Sequence, residues 1–200
     1  MSDNYNVICF KHNNKCLSTI FCRNIPNKCP NCLLNLDLTI PPFKLPCPFT
    51  NAANNKSCLI IRPSIGTFLN YELNNDLHIG IINSNKQLYE FDNRGIVVND
   101  FDNWKSCIVF DNFEESWHSY FDEIINNKLL NNKLTKWNKN NYHPINFNCF
   151  NFIIEFLNEL KYPNYFYNNK IDICDKLILP KIHEAMRFIK IYKHIEKHDF

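Results

Sequence analysis

Asp76-Leu77-His78-Ile79-Gly80-Ile81-Ile82, then Asn83-Ser84-Asn85-Lys86, then Gln87-Leu88-Tyr89-Glu90-Phe91-Asp92, reads as a β-hairpin. Two runs rich in β-branched and aromatic residues flank a cluster of turn formers. The same pattern extends outward on both sides. Upstream, residues 57–62 (SCLIIR) make a buried strand ended by Pro63, and residues 66–72 (GTFLNYE) make another. Downstream, residues 96–98 and 105–110 (KSCIVF) continue it. An antiparallel sheet of about five or six strands is expected.

Helices follow the strands. Asn112 is placed to cap a helix with Glu114 and Glu115 in its first turn, and Trp117, Phe121, Ile124 and Ile125 recur at helical spacing. A polar Asn/Lys stretch ends it. Asn148 precedes residues 149–160 (CFNFIIEFLNEL), a strongly apolar helix with Phe152, Ile153, Phe156 and Leu157 on its core side. After Pro180 comes an amphipathic helix carrying Ile182, Met186 and Ile189 on one face. The fold class is therefore α+β. Residues 1–40 form a Cys-rich segment, four prolines in residues 41–48 stiffen an extended connector (41–56) packed on the core, and residues 57–200 form the main domain.

Composition narrows the function classes. The chain has 200 residues, 45% apolar and 21% charged, with net charge +2. Disordered tails, acidic solvating segments and strongly basic nucleic-acid binders do not look like this, so no nucleic-acid partner is expected. No apolar run approaches the length of a membrane span, and the first residues carry neither a basic nor an apolar region of a secretory signal. A cytoplasmic location is expected, with the nucleus also open. Three glycines in the whole chain leave no glycine-rich phosphate loop.

Ten cysteines in a reducing compartment argue against a disulfide framework. Five crowd the first 32 residues, and Cys29-Pro30-Asn31-Cys32 is a knuckle whose two sulfurs can reach one zinc from a tight turn. His12 and Cys16 are the preferred second pair, with Cys9 and Cys22 as further candidates. The segment holds few apolar residues (Ile8, Phe10, Leu17, Ile20, Phe21), so one structural zinc would supply stability that its core lacks. No adjacent carboxylate suggests a catalytic role for that metal.

The chemistry worth testing is that of a cysteine nucleophile. Cys149 opens a predicted helix, where backbone N–H groups and the helix dipole favour negative charge. His78 lies inside a strand, on the same face as Gly80 and Ile82, and Gly80 is expected to leave open space beside the imidazole. Glu90, in the other hairpin arm, shares that face if the register of the turn allows, and would then orient the imidazole. His118 and His143 are rivals for the histidine role. An unremarkable reading stands beside this one, in which Cys149 is a small core residue and His78 a satisfied sheet residue.

Cys16-Leu17, Cys29-Pro30-Asn31-Cys32, Pro48-Phe49-Thr50-Asn51, Arg62-Pro63 with Gly66-Thr67-Phe68-Leu69, residues 76–81 and Asn148-Cys149 together resemble the makorin-2 opposite strand protein family over nearly the whole chain. That resemblance supports Cys16, Cys29 and Cys32 as a set and carries no reaction with it. A more distant likeness is to the permuted papain-like fold, including PPPDE-type desumoylating isopeptidases and lecithin-retinol acyltransferase relatives. It rests on the strand-borne His78 and the later Asn-Cys-x-x-Phe at a helix start, over roughly residues 57–160. It implies Cys149 as nucleophile, His78 as general base and Glu90 as an optional third residue. Two functions are then expected in competition. One is a thiol hydrolase or acyltransferase acting on an amide, isopeptide or ester bond of a protein or acyl substrate. The other is a non-catalytic interaction module with a structural zinc knuckle.

Overall fold

Residues 5–12, 16, 18–38, 40–130 and 136–200 are described by a computed structural model of the chain. Leu17, counted above among the apolar residues of the N-terminal segment, and residues 131–135 of the polar Asn/Lys stretch lie outside the described residues. Two compact units are present, Met1–Pro48 with His183–Phe200, and Phe49–Ile182.

A short apolar run at residues 7–10 (VICF) starts a small antiparallel sheet in the first unit. Its strands are β1 (Ile8–Lys11), β2 (Thr19–Cys22) and β3 (Phe43–Lys44), in the order β2-β1-β3. Phe43 and Lys44 of the proline-rich stretch thus pair with Cys9 and Ile8. Phe10, Ile20, Cys22 and Cys29 form the buried centre, flanked by Leu36 and Leu38. From the C-terminal part of the chain, Tyr192 meets Tyr5 edge-on, and the Arg23 guanidinium lies over its ring and pairs with Glu196 at 2.8 Å.

In the second unit, β4 (Cys58–Pro63), β5 (Leu77–Ile82), β6 (Leu88–Asp92), β7 (Gly95–Val98) and β8 (Ile108–Asn112) make a five-stranded sheet ordered β7-β6-β5-β4-β8. Every pairing is antiparallel. The α+β class and the N-terminal Cys/His cluster read from the sequence are both present. Helices α1 (His118–Glu123), α2 (Cys149–Leu160) and α3 (Lys170–Ile173) follow, and α4 (Leu179–His198) starts at the end of this unit. A π-helical stretch, Cys174–Ile178, runs from α3 directly into α4, and Pro180 sits at that junction.

Two local expectations differ from what forms. Residues 66–72 are not a strand. Phe68 is buried and stacked on Phe49 at 5.2 Å, with Tyr71 edge-on at 5.8 Å, so the segment turns in a short 3-10 helix, Phe68–Asn70. Asn112 does not cap a helix but ends β8, and α1 begins six residues later before widening into a π-helical stretch, Ile124–Leu130. A buried aromatic in the first case, and the sheet's demand for backbone partners in the second, overrode local pattern.

Candidate functional site

Strand register builds the first constellation. Arg62 stands opposite His78, and Gly80 stands opposite both Ile60 and Glu90. Cross-strand partners point to the same face, so Arg62, His78, Gly80 and Glu90 share one side of the sheet. His78 Nε2 lies 2.8 Å from Glu90 Oε2. The indole N–H of Trp104 donates to the same oxygen at 3.1 Å. The Arg62 guanidinium sits over the Trp104 ring at 5.0 Å and 3.9 Å from Glu90 Oε2, while Arg94 approaches Oε1 at 3.8 Å.

Cys149 is the first residue of α2. Asn148 caps that helix by accepting from the Phe150 amide at 3.0 Å, and the Asn151 side chain accepts from the Asn148 amide at 2.9 Å. This reciprocal pair satisfies helix-start donors and holds the first turn rigid. α2 packs on β5, which brings Cys149 close enough to His78 for the two to couple electrostatically. Both are nearly shut from water, 4% and 7% exposed, and Glu90 is wholly buried.

Burial by itself would discharge the His78 ring. Interaction with Cys149 and the hydrogen bond with Glu90, reinforced by electrostatic attraction to both, outweigh it and raise the pKa to about 9. Burial also pulls Arg62 below its ordinary value, and the Glu90 carboxylate opposes that.

One detail corrects the sequence reading. The space beside His78 that Gly80 leaves is not open. A Cβ on Gly80 would come within 3.2 Å of two Trp104 ring carbons, so the glycine admits the indole. Trp104 and Arg62 were not singled out as site residues. Arg62 had a signal, a lone charge in an apolar strand; Trp104 had none, being remote in sequence from the hairpin it serves. The rival histidines are engaged locally. His118 Nε2 donates to the Phe113 carbonyl at 3.0 Å, and His143 Nδ1 accepts from the Ile145 and Asn146 amides.

A second constellation lies in the first unit. β1 ends at Lys11 and delivers His12; residues 28–35 form the knuckle, pinned by the Cys29 amide to the Leu34 carbonyl and the Leu33 amide to the Cys29 carbonyl, each at 2.8 Å. His12 Nδ1 is 3.3 Å from Cys32 Sγ, and Cys16 Sγ is 3.8 Å from Cys29 Sγ. The four donor atoms all lie within 4.8 Å of one another. A tetrahedral zinc, with bonds of about 2.3 Å to sulfur and about 2.0 Å to nitrogen, would space two sulfurs about 3.8 Å apart and a sulfur and nitrogen about 3.5 Å apart. The donor set and its spacing therefore fit a metal ion. Burial raises the Cys29 thiol, but backbone N–H groups of Cys32 and Asn31 aimed at the sulfur bring it down to about 7. Cys9 and Cys22 are not in the cluster. They sit in β1 and β2, where burial pushes both thiols up.

Among the described residues, no helix is long and apolar enough to cross a membrane. No solved structure matches the chain. The chain is 28% identical over 199 residues to the MKRN2 opposite strand protein of Homo sapiens, covering 94% of this chain and 86% of that protein. The resemblance carried by Pro48-Phe49-Thr50-Asn51 and residues 76–81 is thus borne out. A family model described as DUF4796 C-terminal matches residues 42–195, most of the chain, and the chain belongs to that family.

Proposed function

We propose that the chain is a thiol hydrolase or acyltransferase of permuted papain-like architecture, with Cys149 as nucleophile, His78 as general base and acid, and Glu90 as the residue that orients His78. The observation that carries this is the contact from His78 Nε2 to Glu90 at 2.8 Å on the sheet face against which the helix-start Cys149 is placed, with Cys149 and His78 electrostatically coupled. Glu90 takes Nε2, which leaves Nδ1 for the sulfur. In the reaction, His78 already holds the proton of the Cys149 thiol as an imidazolium, and the thiolate sulfur attacks the carbonyl carbon of an amide, isopeptide or ester. The oxyanion faces the Cys149 backbone N–H at the start of α2. His78 returns the proton to the departing nitrogen or oxygen as the carbonyl carbon's bond to it breaks. Neutral His78 then takes a proton from water, or from an acceptor nucleophile, as that oxygen or nitrogen attacks the thioester; the carbon–sulfur bond breaks, the acid or transferred acyl group leaves, and the thiolate–imidazolium pair is restored.

The four donors His12, Cys16, Cys29 and Cys32 support a structural zinc in the first unit. They also favour the second reading, a non-catalytic interaction module. Alkylation separates the two. Iodoacetamide labelling of Cys149, followed by mass spectrometry from pH 5 to 9, is expected to persist below neutral pH and to fall at least tenfold in His78→Ala. Screening against ubiquitin-like conjugates and acyl thioesters would follow. Labelling no faster than that of buried Cys58 and Cys107, and insensitive to His78, would leave the interaction module as the function.

A further inference from the structure

The first unit carries a groove that neither constellation uses. One wall is β2, including Thr19 and Phe21; the other is the last part of α4, including Lys190, Lys193 and Lys197; Pro30 of the knuckle also lines it. β2 is an edge strand of the order β2-β1-β3, and among the described residues no strand pairs with its outer side. Half the backbone N–H and C=O groups of such an edge point outward, available to another strand. The three lysines are exposed and spaced by three and four residues, so they form one stripe along α4. Every charged side chain among the described residues lining the groove is basic, in a protein whose net charge is only +2.

We propose that this groove receives an extended acidic peptide segment of a partner protein, which adds to β2 as a further strand. Its backbone would complete the ladder at the outer edge. Alternate side chains would then fall against the apolar lining and against the lysine stripe, because side chains of a strand alternate between its two faces. A nucleic acid could meet the lysines, but its backbone has no amide hydrogens to give the outward carbonyls of β2. A bilayer would need an apolar surface that stands out, and this one is recessed.

The test selects random dodecapeptides displayed on phage against the immobilised full chain, then against Lys193→Glu/Lys197→Glu. Enriched clones are expected to be acidic and rich in β-branched residues, and to bind the double variant at least tenfold more weakly. In ¹⁵N–¹H spectra of the full chain, the best clone as a synthetic peptide should shift the amides of Thr19–Cys22 and residues 190–197. The same peptide N-methylated at alternate residues should bind at least tenfold more weakly, a readout that needs no variant to fold. Absence of enriched clones, acidic clones indifferent to the lysine reversal, or binding indifferent to N-methylation would each overturn the proposal. So would shifts at these amides on adding oligo-dT or anionic vesicles when no selected peptide produces them.

Discussion

At the scale of residues, His78 couples chemistry to stability. Its pKa is raised from 6.5 to about 9 in the folded chain, against the pull of burial, by Cys149 and Glu90. Between these values the folded state keeps a proton that the unfolded chain has released. The stabilisation is therefore complete below about pH 6.5 and is lost as pH rises through about 9, with a slope of order 1 kcal/mol per pH unit inside that window. Comparing urea unfolding of the native chain with His78→Gln isolates this effect, since other groups titrate in both. The difference in unfolding free energy should be flat below pH 6.5 and should shrink steadily toward pH 9. A difference constant across the window would mean that His78 holds no extra proton when folded, and Cys149 would lose its imidazolium partner. Trp104 belongs to the same account, because its indole N–H and the His78 ring share one oxygen of Glu90.

At the scale of elements, α2 brings Cys149 to the sheet and its cap holds the first turn. Asn148 is buried; its Oδ1 accepts from the Phe150 amide at 3.0 Å and its Nδ2 donates to the Pro144 carbonyl at 2.5 Å. Asn148→Ala removes both and should cost about 1–2 kcal/mol, or a few degrees in Tm. Asn148→Asp keeps the acceptor and should recover part of the loss but not the bond to Pro144. Differential scanning calorimetry reads the order native, Asp, Ala; equal values for all three would remove the cap from the account of Cys149. Much of this element was legible, since Asn148 followed by an apolar helical run is a local signal. The five sheet strands were legible for the same reason, as alternation and turn residues lie close in sequence. Residues 66–72 were not, because the partner that turns Phe68 inward is Phe49, in a different stretch of chain. Nor was Trp104 against Gly80, a pairing of size with absence of size that leaves no periodic trace. The knuckle was legible from Cys29 and Cys32, whereas choosing His12 over Cys9 depends on where β1 ends.

At the scale of the whole molecule, the two units rest on different kinds of support. The second buries many large side chains, including Trp104, Phe91, Phe121, Phe152 and Phe156. The first has a short sheet around Phe10, Ile20, Cys22 and Cys29, with Phe188, Ile189, Tyr192 and Ile195 of α4 also buried and Leu33 and Leu34 of the knuckle left exposed. A core so small rarely suffices without a staple, and a tetrahedral ion bound by three thiolates and an imidazole is one. Protein purified without added metal is therefore expected to contain one zinc per chain by mass spectrometry of the metal, and Cys29→Ser to contain little. Stripping the ion with a strong chelator should unfold the first unit while sparing the second. Hydrogen exchange resolves this by segment: amides in residues 5–48 and 183–200 should lose protection, and those in β4, β5, β6 and α2 should keep it. Restoring zinc should restore protection, and magnesium should not, because thiolates select the softer ion. Native protein free of zinc, with the first unit fully protected, would mean that the apolar contacts alone hold this unit and that the four donors meet for another reason.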